Sequence, residues 1–201
     1  MGLTLWVLGA CAFAVVGERR GLGWARPAGK VSASIGMVAA GVAADVPFAA
    51  LVALVAHFAG DVLLLSHRKA LFLGGMVAFL VGHVAYAGAF LGLGVGGMST
   101  GVAACALAMS VGPVWRWLAP HTGRMRRPVA AYVLALATMV ALAWGTGRWV
   151  LGVAATAFLV SDLLVARNRF VAPGWGNRAV GLPLYYVAQL GLIKGLSSTL
   201  G

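Results

Sequence analysis

The chain has 201 residues, of which 62% are hydrophobic and 9% charged, and its mean hydropathy is +0.96. A soluble domain carries roughly a quarter of its residues as charges, so this composition excludes a water-soluble globular protein and indicates an integral membrane protein. The net charge of +11 does not indicate nucleic-acid binding, because the basic residues fall in short loops between apolar runs, as in the cytoplasmic loops of membrane proteins.

A membrane-crossing helix needs about 17–25 mostly apolar residues. Cutting the chain at charges, prolines and glycine clusters gives eight such segments, at 2–17, 29–45, 47–66, 70–92, 97–118, 128–145, 148–166 and 179–197. The expected fold is therefore all-α, a polytopic membrane helix bundle of about eight transmembrane helices forming a single domain over residues 1–201. The first segment has no basic stretch ahead of it and runs directly into Glu18-Arg19-Arg20, which reads as a retained helix rather than a cleaved signal. Cys11 and Cys105 lie among Ala, Val and Leu and are expected to be buried free thiols. Gly92, Gly94, Gly96 and Gly97 mark an outer loop, and Pro113, Pro120, Pro128 and Pro173 are read as helix ends.

Charge sets the orientation. Arg19, Arg20, Arg26, Lys30, Arg68, Lys69, Arg116, Arg124, Arg126, Arg127, Arg167, Arg169 and Arg178 fall on one side of an eight-helix arrangement, leaving Arg148 and Lys194 for the other. The crowded side is then cytoplasmic and both termini lie outside, with the inner (cell) membrane of a bacterium as the expected location. His67 and His121 belong to the loops. A weak internal echo aligns Gly60-Asp61 with Ser161-Asp162, half a chain apart, as a 4+4 repeat of parallel sense.

Two of only four acidic residues, Asp61 and Asp162, stand inside apolar runs. A charge there costs roughly 2.5–3.5 kcal/mol on insertion scales and marks a functional site by default. Each lies about five residues from the basic end of its segment, about 8 Å deep at 1.5 Å per residue, so the two can share one site. Other polar residues in the spans are His83, Tyr86, Tyr185, Tyr186 and Gln189, with Lys30 where the second segment begins. Tyr185 and Tyr186 also fit an aromatic belt near a helix end, and Lys30 a snorkelling lysine. Ser161 reads as a hydrogen-bond donor beside Asp162. His57 and Asp61 share a helix face, and with His83 they form the one candidate metal set, a weak one. No metal or other cofactor is expected.

The pieces RPAGK at 26–30, GDVLL at 60–64, FLVGHVAY at 79–86, SDLL at 161–164 and YYVAQLGLI at 185–193 resemble, in order, the YhhN-like lysoplasmalogenase family of small eight-helix membrane proteins. The region of the fifth and sixth helices shows no matching motif, and His57 has no counterpart in the pattern. The resemblance implies hydrolysis of the vinyl ether bond of a lysoplasmalogen, a lysophospholipid, to a fatty aldehyde and a glycerophospho-base. That chemistry asks for a protonated carboxylic acid to protonate the enol-ether carbon and a second carboxylate beside the resulting oxocarbenium ion, as glycosidases arrange against a similar cation. Asp61 and Asp162 are the expected acid–base pair. His83, Tyr86, Ser161, Tyr186 and Gln189 are expected around the substrate, and Lys30, with Arg26, at its phosphate. The alternatives are a proton- or solute-coupled transporter, a metal-dependent lipid hydrolase and a membrane scaffold. Expected partners are the lysophospholipid and membrane lipids; oligomeric state is left open.

Overall fold

A computed structural model describes residues 1–66 and 68–197, and His67 lies outside the described residues. Among these the chain forms eight α-helices and no strand: α1 (Gly2–Arg19), α2 (Ala25–Ala43), α3 (Phe48–Leu63), α4 (Lys69–Gly92), α5 (Gly97–Leu118), α6 (Arg126–Gly145), α7 (Trp149–Ala166) and α8 (Trp175–Leu196). Five spans among the described residues are long and apolar enough to cross a membrane, formed by α1, α4, α6, α7 and α8 with short turns joined to α6 and α7. The α3 helix is apolar but has 16 residues, about 24 Å.

The surface inverts the rule for soluble proteins. Leu134, Val102, Val84 and Val187 are all more than half exposed in mid-helix, while the backbone is satisfied internally by helices, as a hydrocarbon solvent requires. The polar side chains Lys30, Ser34, His57, Asp61, His83, Ser161 and Gln189 are buried inside.

Helix ends differ from the sequence reading in ways that matter for the site. The α2 helix starts at Ala25, because Pro27 in its first turn needs no donor. Lys30 is therefore a full turn inside the helix rather than at its beginning. The α8 helix starts at Trp175, so Tyr185 and Tyr186 lie ten residues in and are 4% and 0% exposed; they are core residues, not an aromatic belt. Pro113 sits within α5 rather than at its end. Of the two free thiols Cys11 is buried, but Cys105 faces outward from α5.

The helices close into a ring. The hairpins α1–α2, α3–α4 and α7–α8 are joined through α2–α3, α4–α6 and α6–α7, and α8 returns to α1 and α2. Small residues let the backbones meet: a Cβ on Gly60 would strike the Phe79 ring, and one on Gly75 the Leu64 side chain. The two halves correspond. The contacts α1–α2, α2–α3 and α3–α4 recur as α5–α6, α6–α7 and α7–α8, and the cross-contact of α4 with α6 matches that of α8 with α2. The correspondence breaks at one place: α1 packs on α8, whereas α5 packs chiefly on α6 and makes no comparable contact with α4.

Candidate active site

Both aspartates sit at the basic ends of their helices, Asp61 two residues before the end of α3 and Asp162 four before the end of α7. For Asp61 that is about 3 Å of helix, shallower than the sequence spacing implied because α3 stops at Leu63; for Asp162 it is about 6 Å to the end of α7, whose helical span runs on to Val171. The two line a single cavity of about 370 Å³. Its mouth carries Arg26, Asn168, Arg169 and Arg178, and its depth is apolar, with Met76, Leu107, Val111, Leu136 and Leu159.

Asp61 is surrounded by donors from two helices. Lys30 Nζ lies 2.9 Å from Oδ1. Ser34 Oγ donates to Oδ2 at 2.7 Å and Tyr185 Oη at 3.0 Å. Tyr186 Oη donates to the Lys30 carbonyl at 2.9 Å and lies 2.9 Å from Ser34 Oγ, so it fixes the helix turn that presents both Lys30 and Ser34. The Asp61 side chain is 1% exposed. With an ammonium and two hydroxyls on its two oxygens, little of its acceptor capacity is left for another donor.

Asp162 has fewer partners. Tyr132 Oη donates to Oδ2 at 2.6 Å, and His83 Nε2 lies 3.0 Å from that hydroxyl and 3.3 Å from Oδ2. A hydrogen on Nε2 satisfies both oxygens, and Nδ1 then remains a buried acceptor with no partner. Asp162 is 9% exposed, toward the cavity.

A buried layer joins the clusters. Tyr86 Oη donates to Gln189 Oε1 at 2.6 Å, and Gln189 Nε2 donates to His57 Nδ1 at 2.9 Å and to Tyr185 Oη at 3.4 Å. The His57 ring is 5.1 Å from that of His83 and 5.1 Å from that of Phe158. A Cβ on Gly82 would overlap His57, so that glycine makes room for the imidazole. Among the described residues no three His, Cys, Asp or Glu side chains converge as metal ligands, and the set of His57, His83 and Asp61 considered from sequence does not form one.

The structure thus brings Lys30, Asp61, Ser161 and Asp162 to the cavity wall, and puts His83, Tyr86, Tyr186 and Gln189 behind it. Ser161 Oγ donates to the Gly181 carbonyl at 2.9 Å, tying α7 to α8 rather than bonding Asp162. Sequence reasoning missed Tyr132 and Ser34. The half-chain echo carried the signal: Asp61 and Asp162 are 101 residues apart, Lys30 and Tyr132 are 102 apart, and His83 and Tyr185 are 102 apart. Each aspartate is held by the helix before its own and by the fourth helix of the other half.

Fold and site together define a polytopic helical membrane protein with two buried carboxylates on one amphipathic cavity. Residues 24–196 match the YhhN family, and the chain belongs to it. It is 33% identical over 150 residues to the lysoplasmalogenase TMEM86A of Bos taurus, covering 69% of this chain and 61% of that protein. It is 34% identical over 125 residues to a lysoplasmalogenase of Mycobacterium bovis, covering 57% of this chain and 46% of that one. The chain thus spans about half to three-fifths of the length of these curated relatives. No solved structure matches it.

Proposed function

We propose that the protein is a lysoplasmalogenase, hydrolysing the vinyl ether of a lysophospholipid. The observation that carries this is two unlike carboxylates on the wall of one cavity with a basic mouth and an apolar depth, in a chain whose relatives bear that name. A single-chain lysolipid has the same order of parts: an anionic headgroup, the vinyl ether just beneath it, then hydrocarbon.

The surroundings assign the roles. Asp162, the carboxyl more open to the cavity, is the general acid, and its proton goes to the β-carbon of the double bond. The cation left at the ether-bearing carbon is trapped by water, whose proton restores Asp162. Asp61, fixed by Lys30, Ser34 and Tyr185, presents negative charge to the cation, while the water is held by Asp162, which takes its proton. The hemiacetal then collapses, its hydroxyl proton passing to the departing glycerol oxygen as that C–O bond breaks. One water is consumed, and aldehyde and glycerophospho-base leave. Tyr132 and His83 are positioning residues for Asp162; Tyr86, Gln189 and Tyr186 position the Asp61 side. Because Lys30 is committed to Asp61, Arg26 and Arg169 at the mouth take the phosphate, with Lys30 as a secondary contact.

The basic loops face the cytoplasm and the termini lie outside, in a bacterial inner membrane. The test is aldehyde release from a lysoplasmalogen by purified protein in detergent, with a saturated-ether lysolipid and a chelator as controls. Release from the vinyl ether alone, unchanged by chelator, is expected. A folded sample that releases no aldehyde overturns the assignment, and chelator-sensitive release would overturn the carboxylate mechanism.

A further inference from the structure

The broken correspondence between the halves leaves a space. In the first half α1 packs against α8, but in the second half α5 stands off α4. The active-site cavity runs into that space between Phe72, Met76 and Phe79 of α4 and Leu107, Val111, Val114 and Leu118 of α5. It continues toward the opposite membrane face as an open groove lined by Ala103 and Leu107 of α5, Val140 and Trp144 of α6, and Thr156 and Leu159 of α7. Leu107 and Leu159 line both parts, so the groove adjoins the cavity.

We infer that this groove holds the hydrocarbon chain of the substrate and that its far end, at Trp144 and Ala103, sets the chain length the enzyme handles best. This rests on the lysolipid reading above. Three observations choose the occupant. The groove adjoins the cavity that Asp162 lines, the charged groups lie on the cavity side, and the groove's own lining is almost wholly apolar. Its extent fits as well: from Tyr132 beside Asp162 to Trp144 is 12 residues of α6, about 18 Å, close to one leaflet of a hydrocarbon core about 30 Å thick. A chain laid there keeps the vinyl ether against Asp162 while its end reaches Trp144. Because α5 is held mainly by α6, the groove is open along its side, and the lipid slides in laterally from the bilayer.

Ala103→Trp fills the far half of the groove without touching either aspartate. Cys105→Trp, on the outward face of the same helix, is the control. Aldehyde release is measured over vinyl-ether lysolipids of increasing chain length. Ala103→Trp is expected to lower kcat/KM for the longest chains by about tenfold or more relative to the shortest, since a few methylenes are worth at least that much in an apolar pocket, while Cys105→Trp leaves the profile unchanged. Binding is read separately, by quenching of tryptophan fluorescence with a saturated lysolipid brominated near its chain end. The quenched signal should lose its main component in Trp144→Phe and in Ala103→Phe, which narrows the groove without adding a tryptophan, and a brominated diacyl lipid should not reproduce it. An unchanged length profile in folded Ala103→Trp, or equal quenching by the diacyl lipid, shows the groove to be ordinary bilayer-facing surface and overturns the inference. If no vinyl ether is cleaved but the lysolipid quenching still depends on Trp144 and Ala103, the chain site stands and the proposed reaction falls.

Discussion

At the scale of residues, the two aspartates are built for different tasks. Asp162 is held by the Tyr132 hydroxyl and the His83 imidazole, so Asp162→Asn removes the proposed acid while leaving an isosteric side chain that still accepts from Tyr132. Positioned general acids contribute typically 10²–10⁴-fold, and aldehyde release by this variant is expected to fall by about that range with little change in the thermal unfolding midpoint. Tyr132→Phe separates support from structure: an interhelical hydrogen bond in a membrane protein averages about 0.6 kcal/mol of stability, so a rate loss well beyond that equivalent would mark Tyr132 as positioning Asp162 for chemistry. Asp61 behaves in the opposite way. Its replacement by Asn strands Lys30, 10% exposed, and removing one partner of a buried pair costs about 3–5 kcal/mol. Asp61→Asn should therefore lower the unfolding midpoint strongly, and Lys30→Met added to it should restore much of the stability but none of the activity. Recovery of activity in that double variant would show Asp61 to be a purely structural counter-ion.

At the scale of elements, the apolar runs were long and separated by charges, so all eight helices were legible to within a few residues. The errors came where charge and helix coincide. Arg26 read as loop and Lys30 as the first turn of the second segment, because a basic residue in a short segment is usually outside lipid, yet α2 carries both, Lys30 inward to meet Asp61. The partners of the aspartates were harder to read because every one comes from another helix. Tyr132 is a single aromatic in an apolar run, and nothing near it in sequence signals the 2.6 Å bond to Asp162. The α3–α4 contact makes its own prediction. Gly82 sits directly against the His57 ring, which is 0% exposed. Gly82→Ala should therefore displace the imidazole and its bond to Gln189, costing about 1–3 kcal/mol by overpacking. Gly88 on the same helix has open space around its Cβ position, and Gly88→Ala should be neutral or stabilising. Equal unfolding midpoints for the two variants would mean that His57 adapts and is not held by this contact.

At the scale of the whole molecule, both carboxylates and the basic mouth lie at the same end of the bundle, so the orientation of the chain decides which leaflet supplies the substrate. The proposal from the charge count is that this end faces the cytoplasm, and the folded bundle offers two exposed places to test it. Met98, at the start of α5, is 86% exposed at the end of the bundle away from the site. Arg124, in the short turn before α6, is exposed at the site end. In a background with Cys11 and Cys105 replaced by Ala, Met98→Cys should react with a membrane-impermeant maleimide in intact cells. Arg124→Cys should react only after the membrane is opened. With the proposed activity, that pattern would mean that lysolipid is drawn from the inner leaflet, with aldehyde and the water-soluble headgroup product released on the cytoplasmic side. The reverse pattern would turn the mouth outward and assign the same chemistry to the outer leaflet. Either way the closed end at α8, tied to α1 by Glu18 to Arg178 at 2.7 Å and by Arg19 over Trp175, points to the side at α5 as the proposed route for a lipid, because α5 lacks against α4 the packing that α1 has on α8.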